Sequence, residues 1–161
     1  PSSPGSAEVP MGDIPPDACW YLADLVMEFL VEGDARNVVH INIHLIRANS
    51  PQEAHARALT LGHESEQEFE NTDGRLVRVL FRGLRDLNVI HDPLEDGAEL
   101  IYEERIDVPE EQLQTFLTPR DSLGVFAPRS PRLDGPNYLP HEFRGLLDAQ
   151  ETTDSEPTEP S

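Results

Sequence analysis

His40-Ile41-Asn42-Ile43-His44 places two imidazoles four positions apart with a carboxamide between them. Two histidines at that spacing can chelate a metal or move a proton, provided a helix carries them. On a helix they stack one turn apart. On a strand, with a rise of roughly 3.3 Å per residue, they sit about 13 Å apart and cannot share one zinc ion. Asp24 and Glu28, also four apart, are carboxylates that could pair with them across a hairpin. Trp20, Asp24, Glu28, His40, Asn42 and His44 are therefore the candidate binding residues, and their use depends on the elements beneath them.

Those elements read as a hairpin. In CWYLADLVMEFLVEG, residues 19 to 33, Tyr21, Ala23, Leu25, Met27, Phe29 and Val31 alternate with Trp20, Leu22, Asp24, Val26, Glu28 and Leu30. Acids fall on one face only, as a strand with one buried and one partly wet face requires. Gly33 and Asp34 tolerate the positive φ of a tight turn, so GDAR (33–36) joins this strand to the next. In VVHINIHLIRA, Val39, Ile41, Ile43 and Leu45 form the apolar row, and His40, Asn42 and His44 form the other. β-Branched residues in strict alternation favour the strand over the helix. The expected use of His40 or His44 is then a cross-strand pair with Asp24 or Glu28, on the reading that both sets face the same side.

Other arrangements are weaker. His55 and His63, eight apart on one helix, lie about 12 Å from each other. Cys19 is the sole cysteine, which excludes an internal disulfide and a Cys-rich zinc site. A reactive thiolate would need an electropositive setting, which its place between leader and strand does not supply. The chain has no Gly-rich phosphate loop, no G-x-S-x-G elbow, no HExxH and no CxxC. No catalytic residue, metal or cofactor is expected.

Further elements follow in order. Ser50-Pro51-Gln52-Glu53 is a helix start: a serine cap, proline in the first turn and glutamate three after the serine. Ala54, Ala58 and Leu61 share one stripe, and the helix either ends near Gly62 or bends and runs on to Phe69. NTDG (71–74) is a turn. RLVRVLFRGLRDLNVI is the third strand, bent or bulged at Gly83. AELIYEERI (98–106) is the expected fourth strand, with Glu99, Glu103 and Glu104 set to answer the arginines. Pro109 opens a short helix whose apolar side is Leu113, Phe116 and Leu117. The expected fold is α+β: a four-stranded, mainly antiparallel β-β-α-β-β sheet with one helix on a face, a short C-terminal helix and disordered tails.

Composition divides the chain. Five of its 15 prolines lie in residues 1–17 and seven in 118–161. Residues 1–17 therefore read as a flexible leader, 18–117 as the α+β domain, and 118–161 as a Pro-rich acidic tail, largely disordered. Met11 is a candidate initiation residue. PNYLPHEFRGLL (136–147) reads either as a partner-binding segment or as a tail that touches its own domain. With 31 acidic against 12 basic residues the net charge is −19, and every base is arginine. Such a field repels phosphate backbones and anionic lipid, so nucleic-acid and membrane-surface partners are disfavoured. It suits solubility and a basic partner, but an acidic, lysine-free host composition is the stronger reading of it. Neither a signal pattern nor an apolar run of about 20 residues is present, and a cytoplasmic protein is expected.

WYLADLV, LIRANSPQEAHARAL, VLFRGLRDL and LEDGAELIYEE, spread from Trp20 to Glu104, resemble the bacterial family catalogued as domain of unknown function 4288. The resemblance implies a compact α+β domain in a bacterial cytoplasm. It carries no activity, so no catalytic residue comes with it. Two functions remain in view. One is a non-catalytic interaction module, regulatory or of immunity type, that binds a protein partner or a second copy through a half-apolar sheet face. The alternative is a small enzyme or ligand-binding domain with a shallow site on the outward sheet face.

Overall fold

Alternation governs the longest elements of the computed structural model, which describes residues 17–127 and 134–143. The leader up to residue 16 and the acidic tail from residue 144, including Leu146 and Leu147, lie outside the described residues. Strand β1 (Trp20–Val31) pairs antiparallel with β2 (Val38–Arg47). Helix α1 (Pro51–Glu64) follows, then a short strand β3 (Gln67–Glu70) and a long strand β4 (Leu76–Val89). The sheet order is β2-β1-β4-β3, and every pairing is antiparallel. This is the expected β-β-α-β-β fold.

One strand is not the expected one. Residues 98–106 form no strand, and the fourth is supplied by Gln67–Glu70. Glu66, Glu68 and Glu70 alternate with Gln67 and Phe69, a strand period that ends the helix at Glu64. Asn71 to Arg75 then turns the chain onto β4, with Gly74 at a φ of 78°. The arginines of β4 are answered from within the sheet: Arg78 by Glu68 at 3.1 Å, Arg85 by Asp24 at 2.7 Å, Arg82 by Glu28 at 3.9 Å. Glu99 N donates to Asp92 Oδ2 at 3.0 Å, and Glu103 pairs with Arg105 at 3.3 Å. Register shifts on β4 fall on either side of Gly83, whose φ of 133° suits only glycine. They place Arg82 and Arg85 as the extra residues of two bulges.

The core lies on the odd-numbered face of β1. Tyr21, Ala23, Leu25, Met27 and Val31 pack with Val77 and Val79 of β4, Ile46, Ala48, and Ala54 and Ala58 of α1. Burying a side chain of the size of Leu25 or Met27 contributes about 1.5–3 kcal/mol. The start of α1 is fixed locally. Ser50 Oγ accepts from Glu53 N at 3.1 Å, and Glu53 Oε2 accepts from Asn49 N at 3.1 Å. Such a cap contributes about 1 kcal/mol. Ala54, Ala58 and Gly62, each four apart, are the residues α1 buries, so the helix lies close on the sheet. At the C-terminal end of α1, His63 Nδ1 lies 3.2 Å from Glu66 Oε1, and Phe81 N donates to Glu66 Oε2 at 3.2 Å. Both bonds hold the Glu66 carboxyl below the usual carboxylate range, the histidine bond most.

Pro136–Pro140 belongs to the same compact unit as residues up to 100. Asn71, fully buried, binds this segment: its Nδ2 donates to Asn137 O at 2.9 Å, and Thr72 N donates to Leu139 O at 3.1 Å. Asn137 returns bonds to Thr72 Oγ1 at 2.7 Å and Asp73 Oδ2 at 3.0 Å. Residues 101–135 form a second unit. It holds helix α2 (Glu110–Thr115), a 3-10 turn at Arg120–Ser122, and the Arg120 guanidinium 4.1 Å over the Phe126 ring. None of the described helices is long and apolar enough to cross a membrane.

Candidate functional site

The β1–β2 register decides where the candidate residues point. Met27 lies opposite His40, Leu25 opposite Asn42, and Ala23 opposite His44. Directly opposed residues share a face, so both histidines lie on the face that carries the core. Asp24 lies opposite Ile43, Glu28 opposite Val39, and Trp20 opposite Arg47. The two sets therefore sit on opposite faces of the sheet, and the expected pairing of His40 or His44 with Asp24 or Glu28 does not form. A one-residue change of register is all that separates the two arrangements, because side chains alternate with a period of two.

His40 is held among rings. Its centroid lies 4.6 Å from that of Phe29 and 5.2 Å from that of Tyr138, and Phe29 and Tyr138 are 5.2 Å apart. Tilted and edge-on contacts at such distances add to simple burial. Tyr138 reaches this place because Asn71 and Thr72 hold its neighbours Asn137 and Leu139. Asn42 is exposed and His44 half-buried. Among the described residues no three His, Cys, Asp or Glu side chains gather as metal ligands would.

Acids and arginines occupy the middle of the outer face. Arg85 Nε and Nη2 both donate to Asp24 Oδ2, at 2.9 and 2.7 Å. The Asp24 carboxyl is largely shielded from water while the Arg85 guanidinium keeps about half its exposure. Glu28 accepts from Asn37 Nδ2 at 2.7 Å. Arg47 stacks over Trp20 with its guanidinium carbon 5.6 Å from the ring centroid. Asp24 and Glu28 are thus each engaged by an arginine of β4.

Beside them runs an apolar row. Val39, Ile41, Ile43 and Leu45 are 49, 42, 59 and 47% exposed. Alternation made these four the apolar row of their strand, but nothing in it said that they face water. They lie on β2, at the edge of the sheet. The other two edges of this region carry charge. In the β1–β2 turn, hydrogen bonds from the Arg36 side chain hold the Asp34 carboxyl below its ordinary range. At the far end of β4, bonding from Asn88 and the Leu87 amide does the same for Asp86. A groove of about 470 Å³ between α1 and the end of β2 is lined by Leu45, Ile46 and Leu61, with Arg57, Thr60 and Glu64 as its polar part. No set of its groups converges on one point as a reacting centre requires.

The profile of the family described as Domain of unknown function (DUF4288) matches residues 20–102, slightly more than half of the chain. The chain belongs to this family. The DUF4288 segment spans all four strands and α1 and stops before α2. No curated protein and no solved structure is similar to the chain.

Proposed function

We propose that this DUF4288 chain is a non-catalytic interaction module that binds a protein partner through the outer face of β1 and β2. The observation that carries the reading is the row Val39, Ile41, Ile43 and Leu45. Four large aliphatic side chains stand side by side, each about half exposed, on an edge strand. Single exposed aliphatics are ordinary, but a contiguous exposed row marks a surface that another molecule covers. Trp20, Asp24 and Glu28 flank the row on the same face. His40, Asn42 and His44 belong to the opposite face, so a ligand site built from histidines and acids together has no geometric support.

The reading is tested by placing a photo-crosslinking phenylalanine derivative at position 41 of the full chain in living cells. A single adduct of defined mass is expected, lost when Ile43→Asp is added. The same probe at exposed Gln52 on α1 is expected to give none. Ile43 is exposed but lies opposite Asp24, so Ile43→Asp is expected to cost about 1–2 kcal/mol of folding stability, which thermal unfolding checks. No adduct at 41, or the same products at 41 and 52, would contradict the reading.

A further inference from the structure

We infer that the partner is a second copy of this chain, joined by antiparallel pairing of β2 with β2 about a two-fold axis at Asn42. The inference rests on the interaction reading above and names its occupant.

The strand is built as an edge that has not been closed. β2 pairs with β1 on one side only, and no described strand lies on its other side. Its ten residues offer a long row of backbone donors and acceptors. Natural sheets protect such edges with proline, bulges, lysine or inward charges, or keep them short. From Val38 to Ile46 there is no proline, no glycine, no acid and no arginine, and the β1–β2 register is unbroken. β3, at the opposite edge, is protected: it is four residues long and carries Glu68 and Glu70. The contrast within one sheet indicates that β2 is meant to be covered.

The sequence of β2 is complementary to itself. A two-fold axis at Asn42 sets Val39 opposite Leu45 of the second copy and Ile41 opposite Ile43. All four outward aliphatics then face an aliphatic. An axis at Ile41 would set Leu45 opposite Asn37, and one at Ile43 would set Val39 opposite Arg47. Only the Asn42 axis matches the whole row, as an isologous contact demands. On the other face it sets His40 opposite His44 and brings the two Asn42 carboxamides together, where each can donate to and accept from the other.

The area is that of a weak dimer. The four aliphatics expose roughly 350 Å² per copy, of which edge pairing covers a part together with the strand backbone and flanking side chains, for on the order of 1,000 Å² or less in the pair, the low end of specific interfaces. Each copy carries −19, but none of that acidity lies on β2 itself. Self-association should therefore tighten as salt rises and screens the repulsion, whereas a basic partner would be released.

The test places one cysteine on the axis. In the full chain carrying Cys19→Ser, Asn42→Cys puts two thiols on residues whose Cα atoms are about 4.5–5.5 Å apart, within reach of a disulfide. Oxygen with copper phenanthroline is the oxidant. Rapid formation of a covalent dimer is expected. Val38→Cys in the same background should stay uncrosslinked, because its two copies would lie about 26 Å apart along the strands. Light scattering should give twice the chain mass for the unmodified protein, rising with salt, and a single chain for Ile43→Asp. A monomer at millimolar concentration overturns the inference. So does a dimer that crosslinks at 38 rather than 42, or one that Ile43→Asp leaves intact. If the chain is monomeric while position 41 crosslinks to a different protein in cells, only the occupant is wrong. If both experiments fail, the interaction reading falls with it.

Discussion

Asn71→Ala is expected to lower the stability of the β-sheet domain by about 2–3 kcal/mol, or roughly 10–20 °C in Tm for a domain of this size. The side chain is fully buried and uses both ends. Its Oδ1 accepts from Asp73 N and Arg75 N, each at 2.9 Å, and its Nδ2 donates to Asn137 O at 2.9 Å. Alanine removes the acceptor that shapes the β3–β4 turn and the donor that ties down residues 137–139. Asn71→Asp separates the two roles. A carboxylate keeps the acceptor but turns a negative oxygen toward the Asn137 carbonyl. Its buried, unpaired charge should cost at least as much stability as alanine and release Tyr138, so that the His40 ring resonances shift while those of β3 hold. Thermal unfolding and one-dimensional histidine spectra check both. Loss below about 0.5 kcal/mol for Asn71→Ala would show that water replaces the side chain and that the segment at 137 is not held by it.

Gly62→Ala is expected to destabilise by about 1–3 kcal/mol, against the usual sign for a helix interior, where alanine gains up to about 1 kcal/mol over glycine. A Cβ at position 62 would stand 2.5 Å from Cδ1, Cε1 and Cζ of the Phe81 ring. The ring is also fixed edge-on to His63 at 5.1 Å between centroids. α1 therefore keeps a poor helix former to let an aromatic ring of β4 approach its backbone. The double variant Gly62→Ala, Phe81→Leu isolates the contact. With the ring gone, the alanine should be neutral or stabilising relative to Phe81→Leu alone. Chemical denaturation of the four proteins measures the coupling, and additive effects would mean the helix is not constrained there.

Much of this fold was legible in the sequence because local signals agreed. Ser50, Pro51 and Glu53 announced α1, and their side chains act as their types suggest. Alternation from Trp20 to Val31 gave β1, and Gly83 marked the bulge. Two things were less visible. Gln67–Glu70 carries one large apolar residue, Phe69, while residues 98–106 carry more, yet the short segment is the strand. Its identity comes from β4 beside it and from the Asn71 turn, both nonlocal to its own composition. The faces of β2 are not legible from alternation alone, which yields two rows without saying which of them faces the core. Hairpin parity held the missing signal. Eight residues, an even number, separate the last pair, Phe29 and Val38, so odd positions of β1 face even positions of β2, which sends the histidines to the core side. Tyr138, which covers His40, lies about 100 residues away in a proline-rich stretch where no periodicity pointed to it.

The account stands on that parity, since an outward apolar row exists only if His40 points inward. Proton NOE spectroscopy at the His40 ring tests it most directly. The rings of Phe29 and Tyr138 are expected to give strong cross-peaks to the imidazole, with none from the Glu28 or Asp24 side chains. Cross-peaks to Glu28, and contacts from Ile41 to Met27, would place the row inside and leave no surface to bind.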